Sequence, residues 1–307
     1  MKIVVFGPAQ RVGAWAGDNV IDLNRADAKL PPQLEALIAA GGAALDSARR
    51  IIEERTGAAP DGQVVLKGSD VKLHAPWPGR RIACAGGNFA EHLRGMESDP
   101  NVTLDDVTRR ARDRGQWGFW KVPAEVAGPD GEIPFPKRTR YFDYEGEAAI
   151  VIGKRGKDIP ASKIDEYVWG VTLLNDWSIR DGAYKPFPMS YNGAKNFDMS
   201  TSMGPCIVVG ELAAQDVPVQ TSINGEVRQS YNTSQMIFSF GEILEYLSQD
   251  FTFVPGDVIS GGTNAGTAAD KTPKGPDGAK ARDLFLKPSD VIEVSSPKIG
   301  TLRNKIV

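Results

Sequence analysis

Short apolar runs, each closed by glycine, proline or aspartate, recur along most of the chain, at 81–85, 148–152, 168–174, 205–209, 258–260 and 291–294. Runs of this length read as strands and predict a mostly β region from about residue 80 onward. The pattern before it differs. An apolar run at 3–6 predicts a strand, 12–23 a hairpin-like stretch and 64–66 a further strand. Between them a helix opens behind Pro31 and Pro32 and runs to about 55, because Leu34, Leu37, Ile38, Leu45, Ile51 and Ile52 fall near helical spacing. Gly41 and Gly42 weaken or break it, and Gly57 ends it. The link Ala75-Pro76-Trp77-Pro78-Gly79 separates a small α+β unit, 1–75, from a larger one, 80–307. The expected fold class is α+β, mostly β with some helix.

Two helices interrupt the β pattern. Thr103 with Asp106 three residues on resembles a capping box, and Arg109, Arg110, Arg112 and Arg114 suit a helix C-terminus before Gly115, predicting a helix over 103–114. Polar nearly all round, it reads as a solvated excursion or as a cover over a site. Phe240, Ile243, Leu244 and Leu247 share one face of a second helix over 239–247.

Composition narrows the function classes. The 307 residues are 41% hydrophobic and 24% charged, the mix of a soluble globular protein. Thirty-six Lys plus Arg against 39 Asp plus Glu leave a net charge of −3, so no basic surplus calls for nucleic acid or an anionic membrane. No stretch approaches the roughly 20 apolar residues of a membrane span. The run at 3–6 is stopped by Gly7 and Pro8, too short for a signal-peptide core, so a cytoplasmic protein is expected. Cys84 and Cys206 lie in strand-like flanks and build no disulfide framework, and two histidines, His74 and His92, exclude a histidine-rich zinc site.

The most informative segment is Phe142-Asp143-Tyr144-Glu145-Gly146-Glu147, just ahead of the buried run at 148–152. In a strand Asp143, Glu145 and Glu147 point to one face, where three like charges raise each other's pKa unless a cation sits among them. Oxygen ligands of this kind suit Mg, Mn or Ca; the alternative is a solvated edge strand. Asp176 ends another apolar run and offers a third ligand or a helix N-cap. Arg180 shares its face if the chain turns helical there, or else pairs with Asp181 or Glu166. Lys195, in a loop, and Thr263, in the glycine-rich Ser260-Gly261-Gly262-Thr263, are candidates for holding an anion. His92 follows a buried strand and the pair Gly86-Gly87, where sites are often built.

Taken in order, Gly-Asn-Phe-Ala-Glu-His at 87–92, Asp-Tyr-Glu-Gly-Glu at 143–147, Asn-Asp-Trp-Ser-Ile-Arg-Asp at 175–181, Ala-Lys-Asn-Phe-Asp at 194–198, Asn-Gly-Glu-Val-Arg-Gln at 224–229, Asn-Thr-Ser-Gln-Met-Ile-Phe-Ser at 232–239 and Pro-Gly-Asp-Val-Ile-Ser-Gly-Gly-Thr at 255–263 resemble the fumarylacetoacetate hydrolase superfamily over about 80–307. The resemblance implies a mixed β-sandwich roll, generally dimeric, preceded here by a small N-terminal domain. It implies that Glu145, Glu147 and Asp176 hold the ion, with Asp143 outside them. Arg180 and Lys195 then contact substrate or developing negative charge, His92 matches the catalytic histidine, and Thr263 matches the threonine that binds the substrate carboxylate. Two positions depart from the pattern. Gly95 stands where many family hydrolases carry a glutamate paired with the histidine, so Glu97 or an acid of the insertion that follows takes that place, or water activation is altered. Ala183 stands where some members keep a glutamine.

The expected activity is metal-dependent hydrolysis of a carbon–carbon bond in an acylpyruvate-like 2-oxo acid, with His92 as general base. The alternative on the same metal site is a lyase or isomerase of 2-oxo dicarboxylic acids, favoured by Gly95; a non-catalytic dicarboxylate binder is the reading from another class. The expected partners are a small 2-oxo acid and a second copy of the chain in a homodimer, with neither nucleic acid nor membrane.

Overall fold

The computed structural model describes residues 1–181, 191–210, 212–272, 281 and 283–307, with Tyr191 and Asn192 described in backbone only. Its centre is an 11-stranded sheet that runs in the order Val65–Lys67, Asn19–Asp22, Arg11–Ala16, Lys2–Phe6, Thr201–Val208, Val168–Asp176, Gly146–Ile152, Val258–Ser260, Ile82–Ala85 and Gly118–Lys121, with Leu73–His74 also on Lys2–Phe6. The pairing of Lys2–Phe6 with Thr201–Val208 places the strands that precede the proline-rich link in the same sheet as those that follow it. A second sheet of five strands runs Glu226–Asn232, Pro218–Ile223, Val291–Ser296, Gly300–Ile306, Gly131–Ile133.

Strand alternation explains how these layers meet. In Gly146–Ile152, Ala148, Ile150 and Ile152 face one core together with Val219, Tyr231, Val294 and Leu302 of the five-stranded sheet. Ala149 and Val151 face a second core, shared with Leu34, Leu37, Ile38 and Ile51 of helices before the link. A strand buried on both faces reads as an unbroken apolar run, which is why 148–152 stood out in the sequence.

Several elements sharpen the sequence reading. The helix after Pro32 is two, Leu34–Ala39 and Gly42–Arg55, because Gly41 takes φ +72°, a conformation costly for other residues. The helix Leu104–Arg114 carries the expected Thr103–Asp106 capping box, yet it is not polar all round: Val107 and Ala111 are buried. The strand expected at 205–209 begins earlier, at Thr201, because Thr201, Ser202 and Gly204 are small or polar but fully paired inside the sheet. Cys84 and Cys206 are buried free thiols, and burial pushes Cys206 up to about 12. Among the described residues no helix is long and apolar enough to cross a membrane.

Candidate active site

The antiparallel register sets Gly146 opposite Asn175, so the start of one central strand lies beside the end of the next. Glu145 and Glu147 flank Gly146, Asp176 follows Asn175, and the Asp176 N–H donates to the Glu145 carbonyl at 2.9 Å. One carboxylate oxygen from each of Glu145, Glu147 and Asp176 lies within 4.8 Å of the others, and all three residues are buried. Asp176 is thus a strand residue and not a helix cap. Asp143 stands apart, on the short strand Phe142–Asp143, where it accepts from Ala268 N at 2.8 Å and Ala269 N at 3.1 Å.

Burying three carboxylates costs several kcal/mol each unless cations and hydrogen bonds answer them. Lys195 Nζ donates to Glu145, to Asp176 Oδ2 at 2.8 Å and to Ser178 Oγ at 2.6 Å, which uses all three of its protons. Lys121, fully buried, donates to Asp176 Oδ1. Arg180 Nε donates to Asp143 Oδ2 at 3.0 Å and its Nη2 to Glu145. Arg180 reaches the site along the extended Ser178–Ile179 strand without a helical turn between Asp176 and Arg180, and its partners are Asp143 and Glu145, not Asp181 or Glu166.

Burial by itself would raise the Glu145 carboxyl, but the charges of Lys195 and Arg180 outweigh it and hold the group below the usual carboxylate range. For Glu147 the balance goes the other way. Its hydrogen bond comes from the Ser260 hydroxyl, and among the described residues no Lys or Arg reaches it within ion-pair distance. Burial, with Asp176 and Glu145 adding to it, pushes its carboxyl well above the usual range. Four buried carboxylates, counting Asp143, face three cations, Lys121, Lys195 and Arg180, and the deficit falls at Glu147. A converging all-oxygen set short of positive charge is the donor chemistry of a hard divalent cation, so these residues fit one.

His92 sits in the helix Ala90–Met96, just past the strand Ile82–Ala85, and lines the same cavity as Glu145, Glu147, Arg180, Lys195 and Thr263, about 220 Å³ in volume. Leu93, Met96, Trp117 and Phe119 form its apolar side. The Trp117 ring covers Gly86 so closely that a methyl group there would lie 2.5 Å from it. Thr263 Oγ1 donates to the Gly146 carbonyl at 2.9 Å and accepts from Gln229 at 2.7 Å, so its single proton is already committed.

The acid beside His92 is neither Glu97 nor part of the insertion. Glu97 lies on Arg110 at 3.5 Å, whereas His92 Nδ1 is 2.9 Å from Asp270 Oδ2. Asp270 and Lys121 escaped the sequence reading. Thr267 with Asp270 three residues on has the look of a helix start, and Thr267 does cap the helix Ala268–Lys271, but nothing local ties either residue to His92. Lys121 carried no signal beyond lying next to apolar Trp120. Ala183 lies outside the described residues, as do residues 273–280 and 282.

Glu145, Glu147 and Asp176 thus offer a buried oxygen set, and His92 shares a cavity with the first two of them. The chain belongs to the fumarylacetoacetate hydrolase family: the family model described as fumarylacetoacetate (FAA) hydrolase C-terminal matches residues 81–307. It is similar to the human mitochondrial oxaloacetate tautomerase FAHD2B, with 31% identity over 100% of this chain and 92% of that protein. It is similar also to oxaloacetate tautomerase YisK of Bacillus subtilis, with 33% identity over 94% of this chain and 93% of the relative. Among solved structures, a fumarylacetoacetate hydrolase from Exiguobacterium antarcticum superposes with a TM-score of 0.73 at 29% identity, covering 100% of this chain and 99% of that one. A 5-carboxymethyl-2-hydroxymuconate delta-isomerase from Mycobacterium smegmatis does so with a TM-score of 0.69 at 25% identity, over 100% and 99% of the two chains.

Proposed function

We propose that the protein catalyses metal-dependent keto–enol isomerisation of a small 2-oxo dicarboxylic acid of the oxaloacetate type. Full-length similarity to two oxaloacetate tautomerases supports the isomerase alternative over carbon–carbon hydrolysis. The observation that carries the reading is the joint cavity of about 220 Å³, which His92 lines together with Glu145 and Glu147 of the trio and the cations Arg180 and Lys195. That is room for a four-carbon diacid, and one proton carrier is what a tautomerisation needs.

Glu145, Glu147 and Asp176 would hold Mg or Mn, and such an ion acts as a Lewis acid toward a 2-oxo group. His92, with Nδ1 on Asp270, has Nε2 left to take the enol proton and deliver a proton to C3, or to run the exchange backwards; the proton count is unchanged. The negative charge that builds on the substrate between these transfers lies in the field of Arg180 and Lys195, both kept protonated by the carboxylates around them despite their burial. Lys195 acts there through its charge, since its protons are engaged. Thr263 lines the same wall, and its hydroxyl would reach a substrate carboxylate only by giving up the Gly146 carbonyl. Leu93, Met96 and Trp117 limit water on the other side.

A second reading, hydrolysis of an acylpyruvate with His92 activating water, is supported by the likeness to the Exiguobacterium hydrolase. One experiment separates the two. Freshly dissolved enol oxaloacetate is mixed with the protein and Mg, with and without chelator, and the enol absorbance is followed alongside product analysis. Chelator-sensitive acceleration with oxaloacetate recovered intact is the expected result. Release of pyruvate from an acylpyruvate panel with no acceleration on oxaloacetate would replace isomerisation by hydrolysis. Pyruvate formed from oxaloacetate itself would make the activity a decarboxylation.

A further inference from the structure

We propose that Asp270 is the positioning residue of His92, fixing the tautomer that leaves Nε2 facing the cavity, and that Gly95 is the position whose missing side chain admits it. The proposal deepens the reading of His92 as the proton carrier and rests on it for its effect on rate.

The chain has two histidines, and their partners demand opposite tautomers in the neutral ring. His74 Nε2 lies 2.9 Å from the Gly7 carbonyl oxygen, which only accepts, so the proton is on Nε2. His92 Nδ1 lies 2.9 Å from a carboxylate oxygen of Asp270, which when ionised also only accepts, so here the proton is on Nδ1 and the lone pair on Nε2. The Asp270 carboxylate is held for this task. Its two oxygens each accept from Gly266 N at 3.0 Å, and its own N–H donates to the Thr267 hydroxyl oxygen at 3.2 Å. Tyr144 OH in turn donates to the Gly266 carbonyl at 2.9 Å, and Asp143 receives Ala268 N and Ala269 N. Asp143, the acid left out of the carboxylate trio, therefore grips Arg180 on one side and the segment bearing Asp270 on the other.

Gly95 lies three residues after His92 on the same helix, hence on a neighbouring face. A Cβ placed there would fall 2.8 Å from Asp270 Cβ, well inside the roughly 3.5–4 Å at which carbon atoms pack best and so in their repulsive range. Gly95 is not among the residues of positive φ, so its backbone would take a side chain; only Asp270 forbids one. A carboxylate rooted at 95 and one rooted at 270 thus compete for the same place beside the ring, and this chain uses the second.

The test needs neither substrate nor metal for its first readout. With only His74 and His92 present, imidazole 15N spectra of the full chain are expected to give one Nε2–H ring and one Nδ1–H ring. In Asp270→Asn the amide oxygen can keep Gly266 N while the amide N–H meets His92 Nδ1, so the His92 ring is expected to switch to Nε2–H while His74 stays as it was. In the tautomerase assay the same variant is expected to lose kcat at least about tenfold with KM little changed; a serine-protease triad marks the upper end, at about 10⁴. Gly95→Ala leaves every polar group in place and carries the test should Asp270→Asn fold poorly: by displacing Asp270 it is expected to lower kcat in the same sense. The double variant Asp270→Gly with Gly95→Glu is expected to recover kcat over Asp270→Gly alone. Wild-type kcat in Asp270→Asn, or a His92 ring that keeps its tautomer there, overturns the proposal. If the wild-type protein shows the Nδ1–H ring yet no tautomerase activity, the functional reading fails while the placement of Asp270 stands.

Discussion

Glu147 and Asp176 stand on neighbouring strands in the middle of the large sheet, with Glu145 just ahead of the first, whereas His92 and Asp270 stand on two short helices outside it, 178 residues apart in the chain. On the carboxylate wall, position follows from strand register, and a one-residue slip would turn every side chain to the other face. On the histidine wall, position follows from one hydrogen bond, a clamped carboxylate and the bareness of Gly95. The first wall concentrates uncompensated charge and ties ion binding to stability. The second carries no such burden, so damage to it is expected to appear in the rate alone.

Glu147→Gln should break the comparison hardest. It removes a ligand with little change of shape, so ion-dependent turnover is expected to fall to background and calorimetric ion binding to vanish. Near-normal turnover would sink the ligand assignment. Because the wild-type carboxyl lacks a cationic partner, the variant is also expected to melt no lower than wild type when both are held in chelator.

His92→Gln tests the opposite wall. Turnover is expected to drop roughly 100- to 10,000-fold, the usual worth of a positioned acid–base group, while calorimetric ion affinity and melting temperature stay near wild type. A matching loss of ion affinity would mean that the two walls are not separable.

Lys195→Met returns to the carboxylate wall and reads its electrostatics. Glu145 and Asp176 would each lose a partner, and breaking a buried pair from one side costs about 3–5 kcal/mol. A clear fall in melting temperature is expected in chelator, partly reversed by a divalent ion, since the ion supplies the charge that the lysine gave. An unchanged melting point would show that the buried carboxyls take up protons instead.

The same contrast explains what was legible in the sequence. Glu145 and Glu147 were readable because a strand period of two and the apolar run behind them fix both face and depth. The capping box of Thr103 with Asp106 was readable for a similar reason, since both partners are local. Lys121, Asp270 and the true partners of Arg180 were not, because each meets the site across tens of residues or more and through contacts that no local period encodes. The family resemblance carried His92 but pointed to the wrong stretch of chain for its acid, because a carboxylate can reach one point in space from more than one place in the chain.

The smallest effect is expected at the helix Leu104–Arg114, whose status as cover or bystander bears on how far the apolar side of the cavity extends. Arg112 ties it down: the guanidinium donates to Glu242 and to the Ile237 carbonyl, and stacks over the Phe238 ring at 4.5 Å. Both partners of the ion pair are partly exposed, 48% and 34%, so solvent screens the charge term to well under 1 kcal/mol, and the stacking adds about 0.5–1 kcal/mol. Val107 and Ala111, buried beneath the helix, hold it independently of the arginine. Arg112→Ala is therefore expected to cost about 1 kcal/mol, to speed amide exchange within 104–114, and to leave kcat and KM within twofold. A loss of turnover with unchanged global stability would instead make the seating of this helix part of the catalytic cycle, and would place the cavity's outer wall at Arg112 and not at Trp117.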